Sequence, residues 1–265
     1  MLDKFNREIS YMRISVTDKC NLRCVYCMPE EGVELKRHEE LISFENIVKV
    51  VENAVKLGFT KFRLTGGEPL VRNGIVDLVR MIRNVKGVEI IGMTTNGVTL
   101  DKFAHQLKEA GLTSLNISMD TLIPERYAKM TRIGNIKYVL RGIESAIEAG
   151  FPIKINTVVT NETTEKEIQD LRDFCDKKGL TLQLINHYDL KENKKQKYVF
   201  DRPPKCALCN RIRLLADGTL KPCLHSDQEI KIDWDNVEKS LIKAVKDKPA
   251  AGSICLNRSM IEIGG

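Results

Sequence analysis

No apolar run in this chain is long enough to cross a bilayer, and Met1-Leu-Asp-Lys-Phe-Asn6 has no signal-peptide core, so neither a membrane partner nor secretion is expected. There is no repeat of solenoid period and no low-complexity tract; Lys191–Lys197 reads as a short, solvated basic loop. Histidines are scarce, and His38, His105, His187 and His225 show neither metal spacing nor a hydrolase triad. Gly66-Gly67-Glu68-Pro69 lacks the Lys-Ser/Thr pair that a nucleotide P-loop needs. The net charge of +6 is mild: it suits anionic small molecules as well as nucleic acid, or serves solubility alone, and no nucleic-acid partner is expected. At 265 residues the chain is long enough for a substantial core, as one domain or one domain with an appendage.

What the chain does have is cysteine in clusters. Six of the eight cysteines fall into two triplets, which argues against a disulfide framework and for a reducing cytoplasm. Cys175 and Cys255 are left as buried or incidental thiols. The first triplet, Cys20-x3-Cys24-x2-Cys27, follows a short apolar strand. Three thiolates on one loop can hold three irons of a 4Fe–4S cube and leave the fourth iron open to a small molecule. A zinc knuckle is the weaker reading, because three ligands leave zinc incomplete. The second triplet, Cys206-x2-Cys209-x13-Cys223, again has no obvious fourth thiol, although His225 stands two residues on and would complete a structural zinc site. Arg211 and Arg213 follow Cys209 and project from one face of an extended segment, a pairing suited to a phosphate-bearing substrate.

Apolar, β-branched runs at Met12–Val16, Lys61–Thr65, Glu89–Thr94, Ser114–Ser118, Ile153–Val159 and Thr181–Asn186 alternate with helical patterns. Those patterns are Phe44–Leu57, Ile75–Asn84, Asp101–Ala110, Ile136–Ala149 and Glu165–Lys178, with Ser43, Asn73 and Asn135 near their starts. The expected fold is α/β, a partial (βα)6 TIM-like barrel over residues 1–186 with its motifs at the C-terminal strand ends. Beyond Asn186 the alternation stops. Asp201-Arg-Pro-Pro-Lys205 breaks regular structure, Asp217-Gly218 turns a hairpin, Trp234–Lys246 forms a last helix, and Cys255–Gly265 is a tail. Residues 187–265 are therefore expected to form a C-terminal auxiliary region closing the open side of the barrel. Arg13, Arg63 and Lys154 interrupt apolar strands. A charge aimed into a barrel must meet a partner or a ligand; an internal salt bridge or an outward-facing side chain is the alternative.

Several segments together carry a family resemblance. Tyr11-Met-Arg-Ile-Ser-Val-Thr-Asp-Lys-Cys-Asn-Leu-Arg-Cys-Val-Tyr-Cys-Met-Pro-Glu-Glu-Gly32, Arg63-Leu-Thr-Gly-Gly-Glu-Pro-Leu-Val-Arg72, Thr94-Thr-Asn-Gly97, Asn116-Ile-Ser-Met-Asp120, Cys206 to Cys223 and the terminal Ile263-Gly264-Gly265 resemble, in order, the GTP 3′,8-cyclase family (molybdenum-cofactor biosynthesis protein A) of the radical S-adenosylmethionine (SAM) superfamily. The resemblance implies two 4Fe–4S clusters, one on each cysteine triplet, and SAM. It implies reductive cleavage of SAM, hydrogen abstraction from the ribose C3′ of GTP and attack of the resulting radical on guanine C8. By resemblance Gly66, Gly67 and Glu68 hold the methionine end of SAM, with Tyr26, Ser118 and Tyr188 beside it. Arg13, Lys61, Arg63, Thr94, Lys154, Arg211 and Arg213 fall to GTP, and Gly264 and Gly265 to positioning the radical intermediate. Lys61 is the weakest of these. A low-potential electron donor, a downstream pterin-forming synthase and a homodimer are the implied partners. Two departures stand out. Only 16 residues separate Asp189 from Cys206, and Gln183, Asn186 and Tyr188 replace the Arg, Glu and Met usual in the family's last barrel strand. A related radical SAM enzyme acting on another nucleotide or a peptide is the alternative.

Overall fold

A computed structural model describes residues 1–192, 199–200 and 205–264. The basic loop at 191–197 and the Pro-Pro breaker at 201–205 lie largely outside these residues. Six strands, β1 (Tyr11–Ser15), β2 (Lys61–Thr65), β3 (Ile90–Thr95), β4 (Ser114–Ser118), β5 (Ile153–Val159) and β6 (Thr181–Asn186), pair in parallel in their chain order. The connections run through α1 (Phe44–Lys56), α2 (Ile75–Arg83), α3 (Ala104–Glu109), α4 (Pro124–Thr131), α5 (Ile136–Glu148) and α6 (Glu165–Lys177). Ile14, Leu64, Met93, Ile117 and Ile155 are fully buried between sheet and helices, against Val50, Leu78, Leu107, Val139 and Ile143. Alternate strand residues, among them Arg13, Arg63, Asn116 and Lys154, take the opposite face and line a cavity.

The helix starts follow side-chain chemistry. Ser43 accepts from the Asn46 amide, Asn135 from Lys137, and Thr164 forms a capping box with Glu167. Asn73 is not a cap: Gly74, at φ 78°, takes that position with no side-chain bond. The helix expected at Asp101–Ala110 is a 3₁₀ turn, Leu100–Lys102, followed by the short α3. Helix α4 has no counterpart among the expected helices. It is eight residues long and buries only Tyr127, Met130 and Thr131, so its apolar periodicity is thin, and Pro124 marks its first turn.

The C-terminal region enters the same sheet. β7 (Arg211–Leu214) pairs in parallel with β1, and β8 (Thr219–Lys221) and β9 (Ile230–Lys231) continue antiparallel beyond it, giving the order β6-β5-β4-β3-β2-β1-β7-β8-β9. The last helices are α7 (Val237–Lys246), capped by Asn236, and α8 (Met260–Ile263). Although β5 and β6 are far from β7 in this order, residues of all three line one cavity, so the sheet curls and the C-terminal loops face its open side. Register then sets the charges. Arg13 lies opposite Arg63 on β2 and Arg213 on β7; Tyr11 lies opposite Lys61 and Arg211. Neighbouring parallel strands are about 4.8 Å apart, so each row forms a compact cationic band on one face. No helix among the described residues is long and apolar enough to cross a membrane.

Candidate active site

β1 leads directly into the first cysteine triplet, and backbone contacts fix that loop from two sides. At Gly66 (φ +145°) an added Cβ would collide with the Thr17 carbonyl, and at Gly67 with that of Lys19. This close approach lets the Gly67 and Glu68 amides donate to the carbonyls of Thr17 and Lys19, both at 2.8 Å. On the other side Arg23 N and Val25 N donate to Thr131 and Met130 at the end of α4, and Arg132 Nη1 donates to the carbonyls of Arg23 and Met28. The three thiols are half-buried. Leu22 N and Asn96 Nδ2 donate to Cys20 Sγ at 3.4 and 3.7 Å. Burial, reinforced by Asp120 and by the other thiols, pushes Cys24 up to about 12 and Cys27 higher still; burial also raises Cys20. Thiols in such a place ionise only when a positive partner replaces the lost water, which iron would do.

All three cysteines line a cavity of about 200 Å³ with Tyr26, Gly66, Gly67, Glu68, Ser118 and Tyr188, so the residues expected for SAM come together. Two carboxyl groups, Glu68 in its lining and Asp120 bonded to Tyr26, are already engaged. Glu68 accepts from Leu70 N (3.0 Å), Thr95 Oγ1 (2.7 Å) and Asn96 N (2.6 Å), while burial raises it to about 7. Asp120 accepts from Tyr26 Oη (2.6 Å) and Val158 N (2.7 Å), and burial lifts it to about 6. Sequence reasoning missed Asp120 as a site residue; it ends the Asn116–Asp120 segment and fixes the tyrosine of the cysteine loop. Thr94, expected on the substrate side, instead lines this smaller cavity, its hydroxyl buried with no hydrogen-bond partner.

A second cavity of about 460 Å³ adjoins the first, and Asn156, Ile185 and Tyr188 line both. Eight lysine and arginine side chains line it, among them Arg13, Lys61, Arg63, Lys154, Arg211 and Arg213, and no carboxylate is among its described lining residues. Arg63 is held by neutral partners: Nε donates to Tyr11 Oη (3.1 Å) and Nη1 to the Met93 carbonyl (2.8 Å). Lys61 and Arg211 sit over the Tyr11 ring at 5.2 and 5.5 Å. The Nε atoms of Arg13 and Arg211 are buried without a hydrogen-bond partner. Burial, and then the charges of Arg213, Arg211 and Arg63, disfavour the Arg13 cation, a penalty that an anion would relieve.

Arg213 lines the larger cavity and also reaches the tail. It is buried, and its Nη1 donates to the Gly264 carbonyl at 2.6 Å, so it anchors the tail. Gly264 (φ 73°) packs against Thr65 and Gly66, where any Cβ would clash. Gly265 lies outside the described residues.

Cys206, Cys209 and Cys223 line this larger cavity with His225. Among the described residues no three His, Cys, Asp or Glu side chains form a set that could hold a metal ion as they stand. The donor chemistry suits a cluster. Gly252 N donates to Cys206 Sγ (3.4 Å), and Cys209, which burial alone would raise, is brought down to about 7 by Lys248 and Arg211. Arg7, paired with Asp3 at 2.7 Å, binds the carbonyls of Cys206, Pro249 and Ala250. Sequence reasoning missed Arg7 and Lys248, since no local pattern links them to the cysteines. The three family departures have neutral roles: Gln183 donates to Asn156, Asn186 bonds the Phe200 carbonyl, and the Tyr188 ring lies 5.1 Å from that of His225.

Comparison with known proteins finds relatives across the whole chain. Residues 14–175 match the Radical SAM superfamily. A GTP 3′,8-cyclase of Petrotoga mobilis is 37% identical over 323 residues, covering 100% of both chains, and one of Alkaliphilus oremlandii is 37% identical over 320. These alignments are longer than the 265 residues here, so the relatives carry segments without a counterpart in this chain. The crystal structure of Streptococcus suis SuiB bound to S-adenosylmethionine shares the fold, with a TM-score of 0.68 at 17% identity over 92% of this chain and 67% of that one.

Proposed function

The chain belongs to the radical SAM superfamily and, within it, to the GTP 3′,8-cyclase family, and from that premise we propose that it joins ribose C3′ of GTP to guanine C8, the first step of molybdenum-cofactor biosynthesis. The observation that carries the substrate half is the larger cavity, cationic on several walls and without a described carboxylate, next to the cavity of the first triplet. A nucleoside triphosphate supplies the negative charge this lining lacks. Arg13 and Arg211 have donors left for phosphate, with Lys61 and Lys154 beside them. Arg63, held by Tyr11 and Met93, sets the floor of the site. Cys20, Cys24 and Cys27 would hold one 4Fe–4S cluster and Cys206, Cys209 and Cys223 a second. When bound, cluster and SAM supply the reductive generation of a hydrogen-abstracting radical, which no side chain can provide. Gly66, Gly67, Glu68, Tyr26, Ser118 and Tyr188 serve SAM, with Thr94 at its border with the substrate. The protein's own work is holding SAM and ribose in line and excluding water from between them.

The test is anaerobic incubation with SAM, a low-potential reductant and each nucleoside triphosphate in turn, with products read by chromatography and mass spectrometry. A cyclised product isomeric with GTP, formed from GTP alone together with 5′-deoxyadenosine, is expected. Turnover of a different triphosphate, or of none, overturns the reading.

A further inference from the structure

Lys248 is 1% exposed, yet among the described residues its Nζ bonds to backbone carbonyls and to no carboxylate. A buried ammonium without a counter-charge is costly, so the position implies an anion nearby. Its surroundings show where that anion belongs. Nζ donates to the carbonyls of Arg211 (2.8 Å) and Pro222 (2.9 Å), and Lys248 lines the same cavity as Cys206, Cys209 and Cys223. Arg211 is two residues past Cys209, and Pro222 directly precedes Cys223, so one side chain joins both segments of the second triplet. Held by two backbone carbonyls beside the triplet, Lys248 differs from Arg13 and Arg211, whose free Nε atoms suit a substrate anion.

We propose that Lys248 is the counter-ion of the cluster held by Cys206, Cys209 and Cys223, a positioning residue that fixes the cysteine segments and sets how readily that cluster accepts an electron. This rests on the two-cluster reading above. Three thiolates on a cube leave it with net negative charge, and one buried ammonium bonded to both cysteine segments balances it.

The test uses the full chain carrying Cys24→Ala, so that only the second cluster contributes to the spectrum. Iron and sulfide are counted after anaerobic reconstitution, and the midpoint potential is followed by electron paramagnetic resonance. The protein with Lys248 intact should hold about four irons. Lys248→Met, which keeps the stem and removes the charge, should shift the potential to more negative values or lose the cluster; Lys248→Arg should retain both iron and potential. Unchanged iron and potential in Lys248→Met overturns the proposal. Equal loss of iron in Lys248→Met and Lys248→Arg also overturns it, in favour of a purely steric staple. Absence of iron from the protein that still has Lys248 overturns the two-cluster reading itself, and the counter-ion with it.

Discussion

The two adjoining cavities are built by opposite means. The smaller one is shaped by backbone: Gly66 and Gly67 press against the carbonyls of Thr17 and Lys19, and Glu68 in its lining, like Asp120 bonded to Tyr26, is already occupied by protein donors. The larger one is shaped by side-chain charge, brought into rows by strand register and left without carboxylates. Backbone contacts give a site fixed geometry, which suits a reagent used the same way every time. Clustered charge gives capture of an anion but little precision, and here the tail on Arg213 adds a backbone element to the charged side.

The sharpest way to break this comparison is at the first triplet. Cys24→Ala leaves two iron anchors and is expected to abolish 5′-deoxyadenosine formation; normal cleavage with an intact first cluster would sink the assignment. Removing Gly264 and Gly265, or replacing Arg213 by Ala to free them, comes next. Product formation should fall at least about tenfold, while calorimetric affinities for GTP and SAM stay close to those of the parent. Full turnover by the truncated chain would reduce the tail to an ordinary terminus. A smaller effect is expected from Arg211→Ala. A charge-assisted contact is worth about 1.5–3 kcal/mol, so GTP affinity should drop roughly ten- to a hundredfold with SAM affinity unchanged. If both ligands weaken together, the cavities are not independent.

The last effect concerns pH and acts on stability rather than on turnover or binding. Burial raises Glu68 from 4.5 to about 7, so between those values the folded protein binds more protons than the unfolded one. Stability of the cluster-free protein should therefore fall as pH rises through that window, by at most about 3 kcal/mol from this group. In Glu68→Gln, whatever its absolute stability, denaturant midpoints measured from pH 4.5 to 7 should lose this slope. A slope identical to that of the parent would mean that the three donors around Glu68 fully offset its burial.

Much of this architecture is legible in the amino-acid sequence. Each expected barrel strand lies within one residue of the observed bounds at either end, and Lys61–Thr65, Ser114–Ser118, Ile153–Val159 and Thr181–Asn186 coincide with them. Buried β-branched runs bounded by Gly and Asn leave few alternatives. The cysteine spacing declares its chemistry locally. What escapes is long-range. Arg7 reaches the Cys206 carbonyl across 199 residues, and Lys248 reaches the Arg211 carbonyl across 37, neither with a sequence period to betray it. Arg213 lines the expected cavity but binds the tail, since a strand pattern tells which face a side chain takes and not what waits there. Helix α4 escapes for a related reason: it is held largely by the cysteine loop, a tertiary contact that leaves little amphipathic pattern.

The place of β1 between β2 and β7 also imposes an order in time. A chain emerging from the ribosome can pair β1 with β2 soon after residue 65, but the other edge must wait for residues 211–214. At the usual pace of synthesis that delay is on the order of ten seconds, during which an apolar edge strand stands open to other chains. Arg13, midway along that edge, is then a gatekeeper that discourages foreign strands well before it has any ligand to meet.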